Sequence, residues 1–360
     1  MADLTNILLT DPTLQAIDQA TEQANASKIK PPPYLAASTI GNLCERKIWL
    51  SWRVAITEAF TAEQIYRFED GYRCEDVLAS RLARVDGVKL RTIDSATGYQ
   101  YSMIAVDGHL RGRVDGRITG LLQAPATEHV WEAKATDEKK LTALSKAKAE
   151  HGEKQALKAW DETYYAQAQL YMNQLSITRH YLTCTSAGAR NTVAVRTDYN
   201  NDYAQGLLDK ATRIKDSPDM PHGISDNPAW WQCKSCSCHA LCHEKKVAQV
   251  HCRTCLHSTP VANGEWHCAK WKQNIPANYQ LVGCESHLFI PSLITFAKPI
   301  DANPEQNWVE YQKADGTIFK NGQEKPAYSS REIYQAQDYN AIGNNDVDAL
   351  RAAFNAEVVA

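Results

Sequence analysis

The placement of cysteine constrains this chain more than any other feature. Of 11 cysteines in 360 residues, eight fall between Cys233 and Cys284, and six of the 11 histidines lie between His239 and His287. Either disulfides or metal ions could link residues crowded into so short a stretch. Met1-Ala2-Asp3 lacks the basic start of a secretory signal, and no apolar run approaches the length of a membrane span. The expectation is a cytoplasmic protein with no membrane partner, in which thiols stay reduced and clustered cysteines hold metal. By spacing alone, Cys233-x2-Cys236 and Cys252-x2-Cys255, separated by 15 residues, match a four-thiolate zinc ribbon.

Two neighbouring β-type runs carry the second constraint. One contains Val114-Asp115-Gly116 and the next Val130-Trp131-Glu132-Ala133-Lys134. Side chains alternate along a strand, so Glu132 and Lys134 share one face while Trp131 and Ala133 turn to the other. With Asp115 brought across from the adjacent strand, Asp115 and Glu132 offer oxygen ligands to Mg²⁺ or Mn²⁺, and the Ala133 carbonyl a third. A divalent ion there lowers the pKa of bound water and neutralises charge on a reacting phosphate, while Lys134 would orient or deprotonate the attacking water. Asp followed by Glu-x-Lys also occurs in solvated hairpins, so the triplet gains meaning from its surroundings.

Those surroundings run in a definite order. Glu75 closes the helical segment Phe68-Glu69-Asp70-Gly71-Tyr72-Arg73-Cys74-Glu75; Asp115 and Glu132-x-Lys134 follow; then come Gln167 and Tyr171, four apart and so on one helix face. This order resembles the RecB-like branch of the PD-(D/E)xK nuclease superfamily, over residues 37–245. The resemblance implies an α/β, restriction-endonuclease-like core with a mixed central sheet flanked by helices. It further implies a metal-dependent deoxyribonuclease, in particular an exonuclease, with Glu75 adding a carboxylate to the metal and Gln167 and Tyr171 lining the groove beside it. Many members carry a histidine just before the helix acid; Cys74 stands there, which speaks against a second metal ion.

Cys44, in Asn42-Leu43-Cys44-Glu45-Arg46, together with Cys233, Cys236 and Cys242, resembles the iron–sulfur branch of the same superfamily, which includes CRISPR-associated exonucleases and the AddB subunit. In that branch one cysteine before the nuclease core and three after it bind a [4Fe–4S] cluster that clasps the domain. The implied cluster is structural, since closing a long loop through metal bonds removes unfolded-state entropy. Zinc in this set is the alternative, and Cys238 is a spare thiol that could replace one ligand. Cys252, Cys255, Cys268 and Cys284 then form a complete zinc set of their own, leaving His251, His257, His267 and His287 as neighbours rather than ligands.

The organisation expected is an N-terminal helical arm and Pro linker (1–36), a nuclease core closed by the clasp (37–246), a zinc-binding module (247–290) and a small C-terminal region containing β-structure (291–360). Leu4, Ile7, Leu8, Leu14 and Ile17 suggest an amphipathic helix in the arm, and Ser38 a helix cap ahead of Cys44. Trp308 to Tyr311 and Thr317 to Phe319, around Asp315-Gly316, read as a β-hairpin. His109 reads as a turn residue, with contact to phosphate the alternative. Net charge is −3 with a pI near 6.4, so nucleic-acid binding needs local patches. One candidate leaves the Glu-x-Lys strand directly: Lys134, Lys139, Lys140, Lys146, Lys148, Lys154 and Lys158 against Asp137, Glu138, Glu150 and Glu153. A solvated helix is the other reading of that run.

The lone-domain layout without a G-x-x-x-x-G-K-[ST] motif resembles a phage or prophage recombination nuclease. That implies DNA as substrate, a single-strand annealing or other recombination protein as partner, and a bacterial host cytoplasm as location. The alternative is a catalytically inactive nuclease-fold scaffold that binds nucleic acid or a protein through its Cys-rich region.

Overall fold

A computed structural model describes residues 11–27, 34–336 and 339–359. In chain order, α1 is Pro12–Ala26, β1 Leu35–Ala36, α2 Glu45–Trp52 and α3 Ala62–Leu82, followed by β2 Lys89–Arg91, β3 Ser102–Ala105, β4 Leu110–Arg113, β5 Gly116–Thr119 and β6 His129–Thr136. Helices α4 (Glu138–His151), α5 (Glu153–Trp160) and α6 (Glu162–Leu175) lead to β7 (Arg179–Ser186), β8 (Thr192–Asp198) and α7 (Asn201–Asp216). The main sheet has the order β2-β5-β6-β7-β8 and is mixed, since β6 pairs antiparallel with β5 and parallel with β7. The protein is thus an α/β structure whose mixed central sheet is flanked by helices, as the sequence led us to expect.

Local sequence explains the main turns. Strand β6 ends at Thr136, and the carboxylate of the next residue, Asp137, accepts from Lys140 N at 2.8 Å and so starts α4. Asp161 caps α6 in the same way, accepting from Thr163 N and Tyr164 N. Thr61 and Gln64 form a capping box for α3. On one face of β6, Trp131 and Ala133 are buried with Leu78 of α3, Ile118 and Leu121. On the other side of the sheet, Leu182, Cys184 and Val195 pack on Leu141, Leu144, Leu157 and Ala168 from α4 to α6. Cys184, within the apolar run from His180 to Cys184, is fully buried and packs as a small hydrophobe.

Three smaller sheets complete the molecule. The first, β1-β4-β3, packs against α6 through Gly112: a Cβ there would come within 2.7 Å of the Tyr171 ring. The second joins β9 (Ser258–Pro260), β10 (Trp266–Cys268) and β11 (Gln273–Asn274) in the order β11-β10-β9. The third is an antiparallel meander of β12 (Ala297–Asn303), β13 (Trp308–Lys313) and β14 (Ile318–Gly322), so the expected hairpin gains a third strand. Beyond it, Arg351 and Glu332 form a buried two-bonded ion pair between the two last helices, Ser330–Gln335 and Asn345–Phe354.

Several sequence expectations change. Ser38 is exposed in a turn, and Cys44 itself occupies the N-cap of α2, with its N–H donated to Asn42 Oδ1 at 2.9 Å. Of the lysine-rich run, Lys148 donates to Ala194 O, Lys154 pairs with Asp198, and Lys158 lies over the Tyr165 and Tyr203 rings. Those three are engaged with the sheet edge and neighbouring helices, leaving Lys139, Lys140 and Lys146 exposed on α4. Leu4, Ile7 and Leu8 and the Pro linker lie outside the described residues. Helix α1 buries no residue; it meets α3 through polar bonds, Glu22 accepting from Ala62 N and Asp18 from Tyr66 OH. No helix among the described residues is long and apolar enough to cross a membrane.

A tryptophan–arginine stack joins the Cys-rich region to α2. The Arg53 guanidinium lies 4.9 to 5.6 Å from the rings of Trp49, Trp52 and Trp266, and Arg253 lies 4.9 Å from Trp266 on its own side. Arg53 donates to Arg253 O at 3.1 Å and Arg253 to Trp52 O at 2.8 Å. Burial pushes Arg53 down to about 9. His109 enters the same seam, edge-on to Trp52 and Trp266, with Nε2 at 2.7 Å from Val261 O. It follows the Val106–Asp107 turn and, being buried there, cannot touch phosphate.

Candidate active site and cysteine cavities

Strand β5 begins at Gly116, opposite Trp131, so β6 runs on past its antiparallel partner. The Ala133 N–H that β5 no longer serves is taken by the Asp115 carboxylate, at 2.9 Å. A residue's N–H and C=O project to the same side of a strand, so the Ala133 carbonyl also faces Asp115. This is where the sequence placed its third oxygen.

Glu132 and Lys134 share a face of β6, as alternation requires, and form an ion pair. Glu132 Oε1 also accepts from Gln167 Nε2 at 3.0 Å, and Gln167 Nε2 donates to Tyr171 OH at 3.0 Å. The four-residue helical spacing therefore delivers Gln167 and Tyr171 to the carboxylate. Glu132 is 4% exposed, yet its second oxygen, Oε2, has no hydrogen-bond partner. A buried orphan lone pair is costly and marks a place for a missing donor or cation.

The electrostatics agree. Burial and the neighbouring Asp115 raise Glu132 to about 8, and burial with Asp115 raises Glu75, on α3, to about 7. Asp115 is raised by burial, against the pull of Lys134 and the Ala133 N–H. Burial draws Lys134 down, but Glu132 and Asp115 more than offset this and its pKa lies above the usual lysine range. Three carboxylates thus crowd one ammonium, with excess negative charge that a divalent cation would neutralise. Lys134 is an ammonium donor here, a property suited to orienting water rather than deprotonating it. Its Nζ sits 5.2 Å from the Tyr164 ring centroid. That contact was missed because Tyr164 reads as core in an amphipathic helix, though its register with Gln167 was available as a signal. Leu170 and Met172 on the same helix are core.

The cysteines gather around two separate cavities. Cys44, Cys233, Cys236, Cys238 and Cys242 line one of about 240 Å³, facing Arg46. Cys252, Cys255, Cys268 and Cys284 line another of about 320 Å³. Cys233 and Cys236 therefore do not share a cavity with Cys252 and Cys255, which argues against the ribbon pairing. The spare Cys238 thiol donates to Cys236, which holds Cys236 below the usual thiol range and Cys238 above it. Burial raises Cys233, Cys242 and Cys252, and lifts Cys255 to about 12. The histidines have other partners: His251 Nε2 meets Val54 O, His257 meets Asn307 Oδ1 at 2.6 Å, His267 meets Asn274 Oδ1, and His287 meets His251 O. Among the described residues no three His, Cys, Asp or Glu are set as a ready metal cage. Thiol-rich linings of this kind have the donor chemistry that soft metals take.

No protein-family profile matches the chain, and no curated protein matches it. Among solved structures the chain is similar to SSO0001, at 15% identity and TM-score 0.33, over 64% of this chain and 96% of that one. It is also similar to the alkaline exonuclease LHK-Exo from Laribacter hongkongensis, at 11% identity and TM-score 0.34, over 54% of this chain and 90% of that one. The same exonuclease in complex with dAMP gives the same figures.

Proposed function

We propose that the chain is a metal-dependent deoxyribonuclease, acting as an exonuclease in phage-type recombination or DNA processing. The observation that carries this reading is the buried, half-satisfied Glu132 carboxylate, crowded by Asp115, Glu75 and Lys134 at the open edge of β6. The order of these residues with Gln167 and Tyr171 along the chain supports it.

Asp115, Glu132 and the Ala133 carbonyl would hold Mg²⁺ or Mn²⁺, with Glu75 as a further carboxylate. Such an ion, when bound, lowers the pKa of water and neutralises charge on the phosphate. The chain's own residues do the rest. Lys134, fixed by Glu132 and by the Tyr164 ring, presents N–H donors to the attacking water or to a phosphate oxygen. Gln167 holds Glu132 Oε1 in place, and Tyr171 holds Gln167. The first cysteine cavity is read as a [4Fe–4S] clasp through Cys44, Cys233, Cys236 and Cys242, with zinc as the alternative. The second is read as a zinc site. Partnership with a single-strand annealing or other recombination protein belongs to the same reading.

The test is cleavage of labelled single- and double-stranded DNA with Mg²⁺ or Mn²⁺, comparing the parent with Asp115→Ala and Lys134→Ala. Metal-dependent degradation in the parent alone is expected. Equal activity in all three chains would end the enzyme reading. Elemental analysis of the same preparation assigns iron or zinc to the cavities.

A further inference from the structure

The β10–β11 hairpin carries Ala269-Lys270-Trp271-Lys272 in its turn. Trp271 is 57% exposed, and Tyr279, which lines the same cavity, is 58% exposed. Burying one large ring is worth several times thermal energy, so two rings left open on one cavity rim need an occupant with flat faces. Charge narrows the choice. From Trp266 to Cys284 the chain contains Lys270 and Lys272 and no Asp or Glu, although the whole protein is net negative. Neither lysine pairs with an acid among the described residues, whereas the lysines of α5 are engaged with the fold. An aromatic ring between two unpaired ammonium groups matches a chain of alternating bases and phosphates.

We infer that this hairpin is a holding site for single-stranded DNA, with Trp271 and Tyr279 stacking on bases and Lys270 and Lys272 meeting the flanking phosphates. A duplex hides its base faces and leaves only phosphates to the lysines, so the surface prefers single strands. The inference takes from the proposed function only that the substrate is DNA. Binding is therefore measured on the full chain carrying Asp115→Asn, where holding is read separately from cleavage.

The probe is fluorescein-labelled oligothymidylate followed by anisotropy, with a duplex of equal length in parallel. Trp271→Ala is expected to weaken binding about tenfold, the size of one lost stacking contact. Trp271→Phe should keep most of the affinity while losing much of the tryptophan quenching that the oligonucleotide causes in the parent. The double change Lys270→Ala, Lys272→Ala should reduce the slope of log K against log salt by about 1.4, two phosphate contacts on a single strand. Phe354→Ala, at a ring still more exposed on the last helix, should leave affinity unchanged. The inference is overturned if the hairpin variants bind like the parent, if duplex and single strand bind alike, or if Trp271→Phe keeps the full quench. Should Trp271→Ala fail to fold, the quench and the salt slope still decide.

Discussion

Asp115 and Lys134 are 19 positions apart in the chain, whereas Cys44 and Cys233 are 189 apart. The first pair is brought together by one strand pairing and one side-chain bond to Ala133 N, so the carboxylate pocket is as rigid as the sheet beneath it. The second pair meets only after the whole core has folded. Cys44 stands on a helix cap and Cys233 on the short helix Trp231–Lys234, with Cys242 on a second, His239–His243. The pocket is preorganised, and on the proposed reading a cation would supply charge there, whereas metal in the cysteine cavities would fix their geometry. Loss of metal should therefore silence one region and loosen the other.

The largest effect expected is at the pocket. Asp115→Ala or Lys134→Ala should lower metal-dependent cleavage by at least about 10³-fold, with the thermal midpoint little changed. A fall in stability matching the fall in activity would erase the distinction between the regions. Next in size, Cys44→Ala or Cys284→Ala should lower the thermal midpoint by on the order of 10 °C and release iron or zinc, followed by calorimetry and elemental analysis. Removing Mg²⁺ should leave that midpoint in place. A smaller effect is expected at Gln167→Leu: it keeps the helix but removes one of the two donors to Glu132 Oε1, and should cost roughly tenfold in cleavage at unchanged metal content. Full activity in that variant would show that Lys134 alone fixes the carboxylate.

The smallest effect separates pH from catalysis. His180, buried in β7 of the main sheet, is pushed down to about 3 by burial and by Lys134. The unfolded chain takes up that proton near pH 6.5 and the folded chain does not, so His180 favours folding above pH 6.5. That contribution fades as pH falls toward 3, by up to about 1.4 kcal/mol per unit. Urea midpoints at pH 7 and pH 5 should fall less in His180→Leu than in the parent. An identical fall would mean that other groups set the acid limit.

The pocket was legible in the sequence because strand alternation is strict. Glu132, Lys134, Trp131 and Ala133 fall on the faces that period two dictates, and Gln167 with Tyr171 on the face that period 3.6 dictates. What escaped depends on long-range packing. Nothing local shows that Lys148, Lys154 and Lys158 are held by β8 and the tyrosines, or that Ser38 lies in a turn pressed on α6. The seam of Arg53, Arg253, Trp52 and Trp266 also went unread, since its members come from separate stretches. The run Trp49-Leu50-Ser51-Trp52-Arg53 carried a hint, being too rich in large rings for an exposed helix end.

Because Asp115 completes the edge of β6 in place of a backbone partner, the distance from Asp115 to the start of β5 cannot drift. Inserting one residue between Asp115 and Gly116 would swing the acid to the wrong side and bare an amide. The exposed bend around Leu122, where β5 turns toward β6, carries no such duty and can lengthen without moving an oxygen.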